Sequence, residues 1–228
     1  MNVVPKTPLD AAIELLNIHY LAFNDAKPFA DATQHPTPSD TRSWSQILIS
    51  LLTGVNGVAR QKGSDLSDGS DVKAANVWDA IDTPRFNGVI KSGTKSEMSG
   101  KIDYLDGLPY LYFVMWDNEP TTKKARCRVW AVRTQYDAVF REICVTWYKK
   151  QADGEIKSDN FQLHPPRNLN TDTFRNTCGN LDYPLLLNAE WREENNSYVS
   201  VHYDPEILNS GSCTPAEPLI AVKKPRKT

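Results

Sequence analysis

The chain has 228 residues, 40% hydrophobic and 24% charged, with a net charge of −2. This is a globular composition, enough for one large domain or two small ones around a sizeable core. No apolar run nears the roughly 20 residues that span a membrane, no secretory leader is expected, and Cys127, Cys144, Cys178 and Cys213 form no CxxC pair, which argues against a zinc site and fits reduced thiols in a cytoplasm.

In chain order, Pro8 to Asn24 predicts an amphipathic helix, with Leu9, Ala12, Ile13, Leu16, Tyr20 and Phe23 at three- and four-residue steps. Lys27 to Asp40, rich in Pro, Thr and Asp, reads as a loop. Ser43 to Thr53 predicts a second helix, with Ser43 as N-cap and Gly54 as stop. A turn at Asp68-Gly69 follows, then a short strand near Arg85–Ile90. Pro109 to Trp116 is nearly all apolar and aromatic and reads as a buried central strand. Ala125 to Val132 alternates and predicts its antiparallel neighbour. Tyr136 to Lys150 has helical period, whereas Asn160 to Asn180 is polar and reads as irregular. Tyr183–Trp191 and Tyr198–Tyr203 read as two final strands. The fold expected is a single α/β domain over residues 1–208, a mixed, mostly antiparallel sheet flanked by helices, with a weakly ordered basic tail at 209–228.

The segment Gly63-Ser64-Asp65-Leu66-Ser67-Asp68-Gly69-Ser70-Asp71-Val72-Lys73 carries the chemistry. Asp71 and Lys73 leave one face of a strand, and a hairpin turn can set Asp65 beside them. Two carboxylates suit a hard divalent cation such as magnesium, and a nearby lysine can hold an attacking water. Register decides the geometry. A two-residue loop at Asp68-Gly69 puts Asp65 on the wrong face. A three-residue loop at Asp68-Gly69-Ser70 pairs Asp65 with Lys73 and puts all three groups on one face. A two-residue loop at Gly69-Ser70 makes Asp68 the first acid. Asp65 is favoured because Asp68 is the better turn residue, and Asp68 stands as substitute. The other acid-x-Lys triplets, Asp25-Ala26-Lys27 and Glu155-Ile156-Lys157, have no upstream acid on a paired strand. The competing reading is a solvated surface hairpin.

The arrangement resembles the PD-(D/E)xK nuclease core. The resemblance implies a restriction-endonuclease-like fold in which Asp65 and Asp71 bind magnesium, the backbone carbonyl of Val72 completes the shell, and Lys73 assists the water. Ser64 stands where that motif has proline. With Thr83-Pro84-Arg85-Phe86-Asn87-Gly88 and Phe161-Gln162-Leu163-His164-Pro165-Pro166-Arg167, the run from Asp68 to Asn76 resembles the MamI-type group of type II restriction endonucleases, over roughly residues 44 to 204. That likeness implies a magnesium-dependent homodimer cutting both strands of a palindromic, interrupted DNA site and leaving 5′-phosphate ends.

Base readout draws on Arg, Lys, Asn and Gln. Asn160, Gln162, His164, Arg167, Arg175, Asn176 and Thr177 form one candidate recognition segment, and Arg85 with Asn87 a second. Lys123, Lys124 and Arg126 are expected to contact backbone phosphates. The rival functions are a repair or structure-specific nuclease on the same fold, and a DNA-binding module without catalysis. His19, His35 and His202 have no paired nucleophile in sequence and are poor catalytic candidates.

Overall fold

A computed structural model describes residues 6–58, 63–78, 80, 83–91, 103–134, 137–166 and 171–210 of the chain. Helix α1 (Pro8–Thr33) starts where Thr7 Oγ1 accepts the Asp10 N–H and Pro8 occupies the first turn. It does not stop near Asn24. It runs through Pro28 to a left-handed cap at Gln34, whose N–H donates to Asp31 O while that of His35 donates to Ala30 O. Of the stretch expected as loop, residues 27–33 are helical and residues 35–40 are not; the helical part forms because burial of Ala30 and this cap outweigh one lost backbone bond at Pro28. Helix α2 (Arg42–Thr53) follows and ends at Gly54, which takes the left-handed conformation.

Strands β1 (Asp71–Asn76), β2 (Phe86–Lys91), β3 (Leu111–Asn118) and β4 (Ala125–Val132) come next, with a short 3-10 turn at Asp103–Gly107 before β3. Then come α3 (Ala138–Ala152), β5 (Asn160–Leu163), β6 (Thr173–Asn176), β7 (Gly179–Asp182), β8 (Leu185–Arg192), β9 (Ser197–Tyr203) and the short α4 (Ile207–Ser210). The tail from residue 211 lies outside the described residues. The main sheet has the order β1-β3-β4-β8-β9. β1 pairs with β3 in parallel, from Asp71 against Leu111 to Asn76 against Trp116. The other pairs are antiparallel. The domain is therefore a mixed α/β fold with a mostly antiparallel sheet flanked by helices, as expected.

The sheet is covered on both faces, so its middle strands carry almost no exposed position. Every residue of β4 is buried. On one face Val72, Tyr112, Val114, Trp116, Cys127 and Val129 pack against Leu16, Leu48, Ile49 and Leu52 of α1 and α2. On the other, Leu111, Phe113, Met115 and Trp130 meet α3 together with Phe86, Phe161 and Phe174. Each such buried side chain contributes about 1.5–3 kcal/mol against leaving it in water. No helix among the described residues is long and apolar enough to cross a membrane.

Two further expectations change. Asn160–Asn180 is not an irregular loop: β5 pairs with β2, and β6 and β7 form their own hairpin. Arg126 does not lie on a solvated face. Its guanidinium donates to both oxygens of Asp117, 2.9 and 2.7 Å away, and Arg128 donates to Asp117 Oδ2 at 2.8 Å and to Pro166 O at 2.6 Å. All three side chains are buried. A guanidinium so enclosed does not meet a backbone phosphate.

Candidate active site

β1 is an edge strand, and a polar cavity of about 480 Å³ runs along its free side. Ser39, Asp40, Thr41, Arg42 and Gln46 line it from the start of α2, and Arg85 and Asn87 from the start of β2. α2 and β2 pack on opposite faces of the sheet, so the cavity wraps around the strand edge. Asp65, Asp71, Val72 and Lys73 form its floor.

The loop that brings Asp65 there differs in register from the hairpin expected. Gly69 N–H donates to Leu66 O at 3.1 Å, and Leu66 N–H to Ser70 O at 3.0 Å. Leu66 thus faces Ser70 across a three-residue loop, Ser67-Asp68-Gly69, one position earlier than expected. Asp65 N–H also donates to Ser70 O, at 3.2 Å. This bulge-like sharing sets Asp65 beside Asp71 rather than opposite Lys73. The upstream arm is no long strand but a single bridge, Leu66 to Gly57. Ser70 decides the register. Its buried hydroxyl donates to Asp68 Oδ2 at 2.9 Å and accepts the Tyr110 N–H at 3.2 Å. Asp68 Oδ1 accepts the Ser70 N–H at 2.8 Å. Asp68 is thereby committed to the turn and does not line the cavity.

Gly69 is required here. Its φ of 98° is a left-handed value, and a Cβ would lie 2.8 Å from Gly107 O. Gly69→Ala is expected to cost about 1–3 kcal/mol and to displace Asp65. The unfolding temperature should fall. An unchanged unfolding midpoint would show that the turn tolerates a side chain.

Asp65 is held by both oxygens. Gln46 Nε2 donates to Oδ1 at 2.6 Å, and the Val72 N–H to Oδ2 at 2.9 Å. The Asp71 N–H turns inward to Tyr110 O, so the N–H and carbonyl of Val72 leave on the free side, toward Asp65. Lys73 Nζ pairs with Asp71 Oδ2. Burial pushes the Asp65 carboxyl up to about 6, helped by its hydrogen bond with Asp71 and by the Asp71 charge, while the Val72 N–H and Lys73 pull it down. Two carboxylates in hydrogen-bond contact are a place where a cation would displace a proton. Among the described residues no group of three or more His, Cys, Asp or Glu side chains is suited to a metal. The donor set offered here is two carboxylates and one carbonyl, and it fits a hard cation that keeps several waters, as magnesium does.

The other sequence candidates separate into groups. Arg85 and Asn87 line the cavity. Asn87 pairs directly with Gln162 across β2 and β5, and His164 bridges to Arg175 on β6. The two candidate recognition segments therefore adjoin. Asn160, Arg175 and Thr177 are exposed there. Burial and the Arg175 charge push the His164 imidazole below its ordinary pKa. Asn176 is spent internally, donating to Gln162 O at 2.7 Å and accepting the Cys178 N–H at 2.8 Å. Arg167 lies outside the described residues. Lys123 and Lys124 line a different cavity, with Tyr20, Phe23 and Trp78, and Lys124 pairs with Glu193. His19 packs among Trp44, Trp78 and Trp116, and burial lowers its pKa to about 4. It is a neutral core residue. Sequence reasoning missed Gln46 and Arg42. Nothing in a single polar helix face marks which residue will meet a carboxylate 19 positions later.

A family model described as MamI restriction endonuclease matches residues 28–197. The type II restriction enzyme MamI of Microbacterium ammoniaphilum is 32% identical over 171 residues, covering 70% of this chain and 54% of that enzyme. The chain thus spans about half the length of this relative. No solved structure matches.

Proposed function

This chain belongs to the MamI restriction endonuclease family, and from that footing we propose that it is a magnesium-dependent, sequence-specific endonuclease of double-stranded DNA working by PD-(D/E)xK chemistry. The observation that carries the proposal is the grouping of Asp65, Asp71 and Lys73 on the floor of one polar cavity. Asp65, Asp71 and the Val72 carbonyl would hold the cation. When bound, magnesium supplies charge neutralisation at the phosphate and a more acidic water. The chain's own residues do the rest. Gln46 and the Val72 N–H fix the rotamer of Asp65. Asp71 fixes the Lys73 ammonium, and Lys73 orients a water toward phosphorus. The water attacks in line, the 3′ oxygen leaves, and a 5′-phosphate remains.

Each chain offers one such cavity, whereas a double-strand cut needs two. A homodimer on a palindromic, interrupted site meets that need. Asn87, Gln162, Arg175 and their neighbours on β2, β5 and β6 are the base-reading candidates. The phosphate-contact role expected of Lys123 and Lys124 falls outside this cavity, and that of Arg126 is replaced by its pair with Asp117. A plasmid digest in magnesium tests the proposal. Discrete fragments with ligatable 5′-phosphate ends are expected. Nicks confined to mismatches or junctions would favour a repair nuclease, and no cleavage a binding module.

A pH dependence follows from Asp65. Its folded pKa, about 6, is raised above the ordinary 3.8. The folded, metal-free protein therefore holds this proton more tightly than the unfolded chain. The stabilisation is full below about pH 4 and is lost as pH rises through about 6. Asp65→Asn should raise the unfolding temperature in EDTA near about pH 7.5, with little gain near about pH 4, while abolishing cleavage. In the native enzyme, cleavage should fall as pH drops below about 6, because the proton competes with the cation. A lower unfolding temperature for Asp65→Asn at neutral pH would refute this account.

A further inference from the structure

Most cations near the sheet are already committed. Arg126 and Arg128 serve Asp117, Arg141 serves Asp106, Lys124 pairs with Glu193 and Lys73 with Asp71. Arg42 differs. It is exposed, it lines the cavity of Asp65, Asp71 and Lys73, and its guanidinium has no ion pair among the described residues. Nearby Asp40 Oδ1 accepts the backbone N–H of Arg42, at 2.9 Å, and not its side chain.

Helix geometry fixes where Arg42 stands. Arg42 and Gln46 are four residues apart on α2 and share one face. Gln46 touches Asp65 at 2.6 Å. Arg42 is therefore one turn, about 5.4 Å, farther along the axis from that contact, and its side chain leans outward toward the helix start. The helix is firmly seated: Leu48 and Ile49 are buried, and Trp116 Nε1 donates to Ser45 Oγ at 2.9 Å. Its first turn holds no acidic residue, and Thr41 gives no side-chain cap bond. The Asp40 carboxylate on the Arg42 N–H offsets part of the positive helix end, so the charge offered to a phosphate here is that of the guanidinium itself.

We propose that Arg42 grips the phosphodiester next to the scissile one, holding the DNA strand on the α2 side of the cavity while it is cut beside Lys73. This deepens the endonuclease reading and rests on it. The one-turn offset assigns the neighbouring phosphate, because Lys73 and the two carboxylates already stand at the scissile one. A guanidinium suits this role, since it offers paired donors to two phosphate oxygens. Arg42 is a positioning residue: it acts on where the strand lies and does not touch the reacting atoms.

The test is the salt dependence of binding to a DNA fragment carrying the mapped cut site, measured in EDTA, together with steady-state cleavage in magnesium. For Arg42→Ala, the slope of log affinity against log salt should shrink by about 0.9, the share of one phosphate contact. KM should rise by roughly tenfold, with kcat within about a factor of two, and Arg42→Lys should recover the slope but only part of the KM. Lys157→Ala, exposed and outside the cavity, should match wild type. Should Arg42→Ala fold poorly, Arg42→Gln carries the same expectations. An unchanged slope and KM, or a loss confined to kcat, would overturn the proposal. If the wild-type protein itself fails to cut in magnesium, the endonuclease reading fails. If it cuts, only the role of Arg42 is at stake.

Discussion

Asp71→Ala binds its DNA site but no longer cuts it, and Lys73→Ala does the same: this pair of results is expected, with cleavage down by about a thousandfold or more in each. Asp71 lies beside Asp65 and is paired with Lys73, so one substitution removes a proposed cation ligand and frees the lysine. Binding should survive because the groups expected to grip DNA, Arg85, Asn87 and the β5–β6 surface, lie on other elements. Folding should survive too, since Asp71 and Lys73 are half-buried at a cavity wall, outside both hydrophobic clusters. The two variants separate the roles. Asp71→Ala should lose magnesium- or manganese-dependent changes in calorimetry, whereas Lys73→Ala should keep them. Full cleavage by Asp71→Ala protein in magnesium would sink the site assignment.

The largest stability effect is expected at Asp117→Ala. Its carboxylate faces two buried guanidiniums, Arg126 and Arg128, and is itself 3% exposed. Removing it takes from two buried guanidiniums the carboxylate that both are hydrogen-bonded to. Breaking one buried pair costs about 3–5 kcal/mol, a large share of the roughly 5–15 kcal/mol that holds a domain together. At about 2–4 °C per kcal/mol for a domain of this size, the unfolding temperature should fall by about 6–20 °C. Arg128→Met should cost less, because Asp117 keeps Arg126. Loss of Arg128 also frees Pro166 O, so the segment leading from β5 toward β6 should loosen before the sheet does. An unfolding shift of only a degree or two for Asp117→Ala would mean that water reaches the pair.

The central sheet was legible because its signals are local. Pro109–Trp116 and Ala125–Val132 are long apolar or alternating runs, and they fold as β3 and β4 within two residues of expectation. The grouping of Asp65, Asp71 and Lys73 was legible for the same reason: a turn residue pair sits between the acids. The register was not, because Ser70 is held by Tyr110, forty residues away. The partner of β1 was not either. Parallel pairing with β3 leaves no mark on the six residues of β1. Arg126 misled because alternation alone made its face look wet. Its neutralising partner, Asp117, lies directly opposite across the β3–β4 pair, so counting that hairpin register would have paired them. The strands β5 to β7 were read as loop because their buried positions are few: Phe161, Leu163, Phe174 and Leu181.

The free side of β1 has a further consequence, for solubility. An unpaired strand edge is a template on which another chain can add a strand and begin to aggregate. Here the charges at Asp71 and Lys73 sit on that edge, and Asp65 already occupies the Val72 N–H that a foreign strand would seek. The residues proposed for cutting DNA therefore also act as gatekeepers against self-association. Inactive variants made by replacing these charges with apolar residues should precipitate more readily than wild type, at unchanged thermal stability. Asparagine and glutamine are then the better substitutions for trapping an uncut complex with DNA.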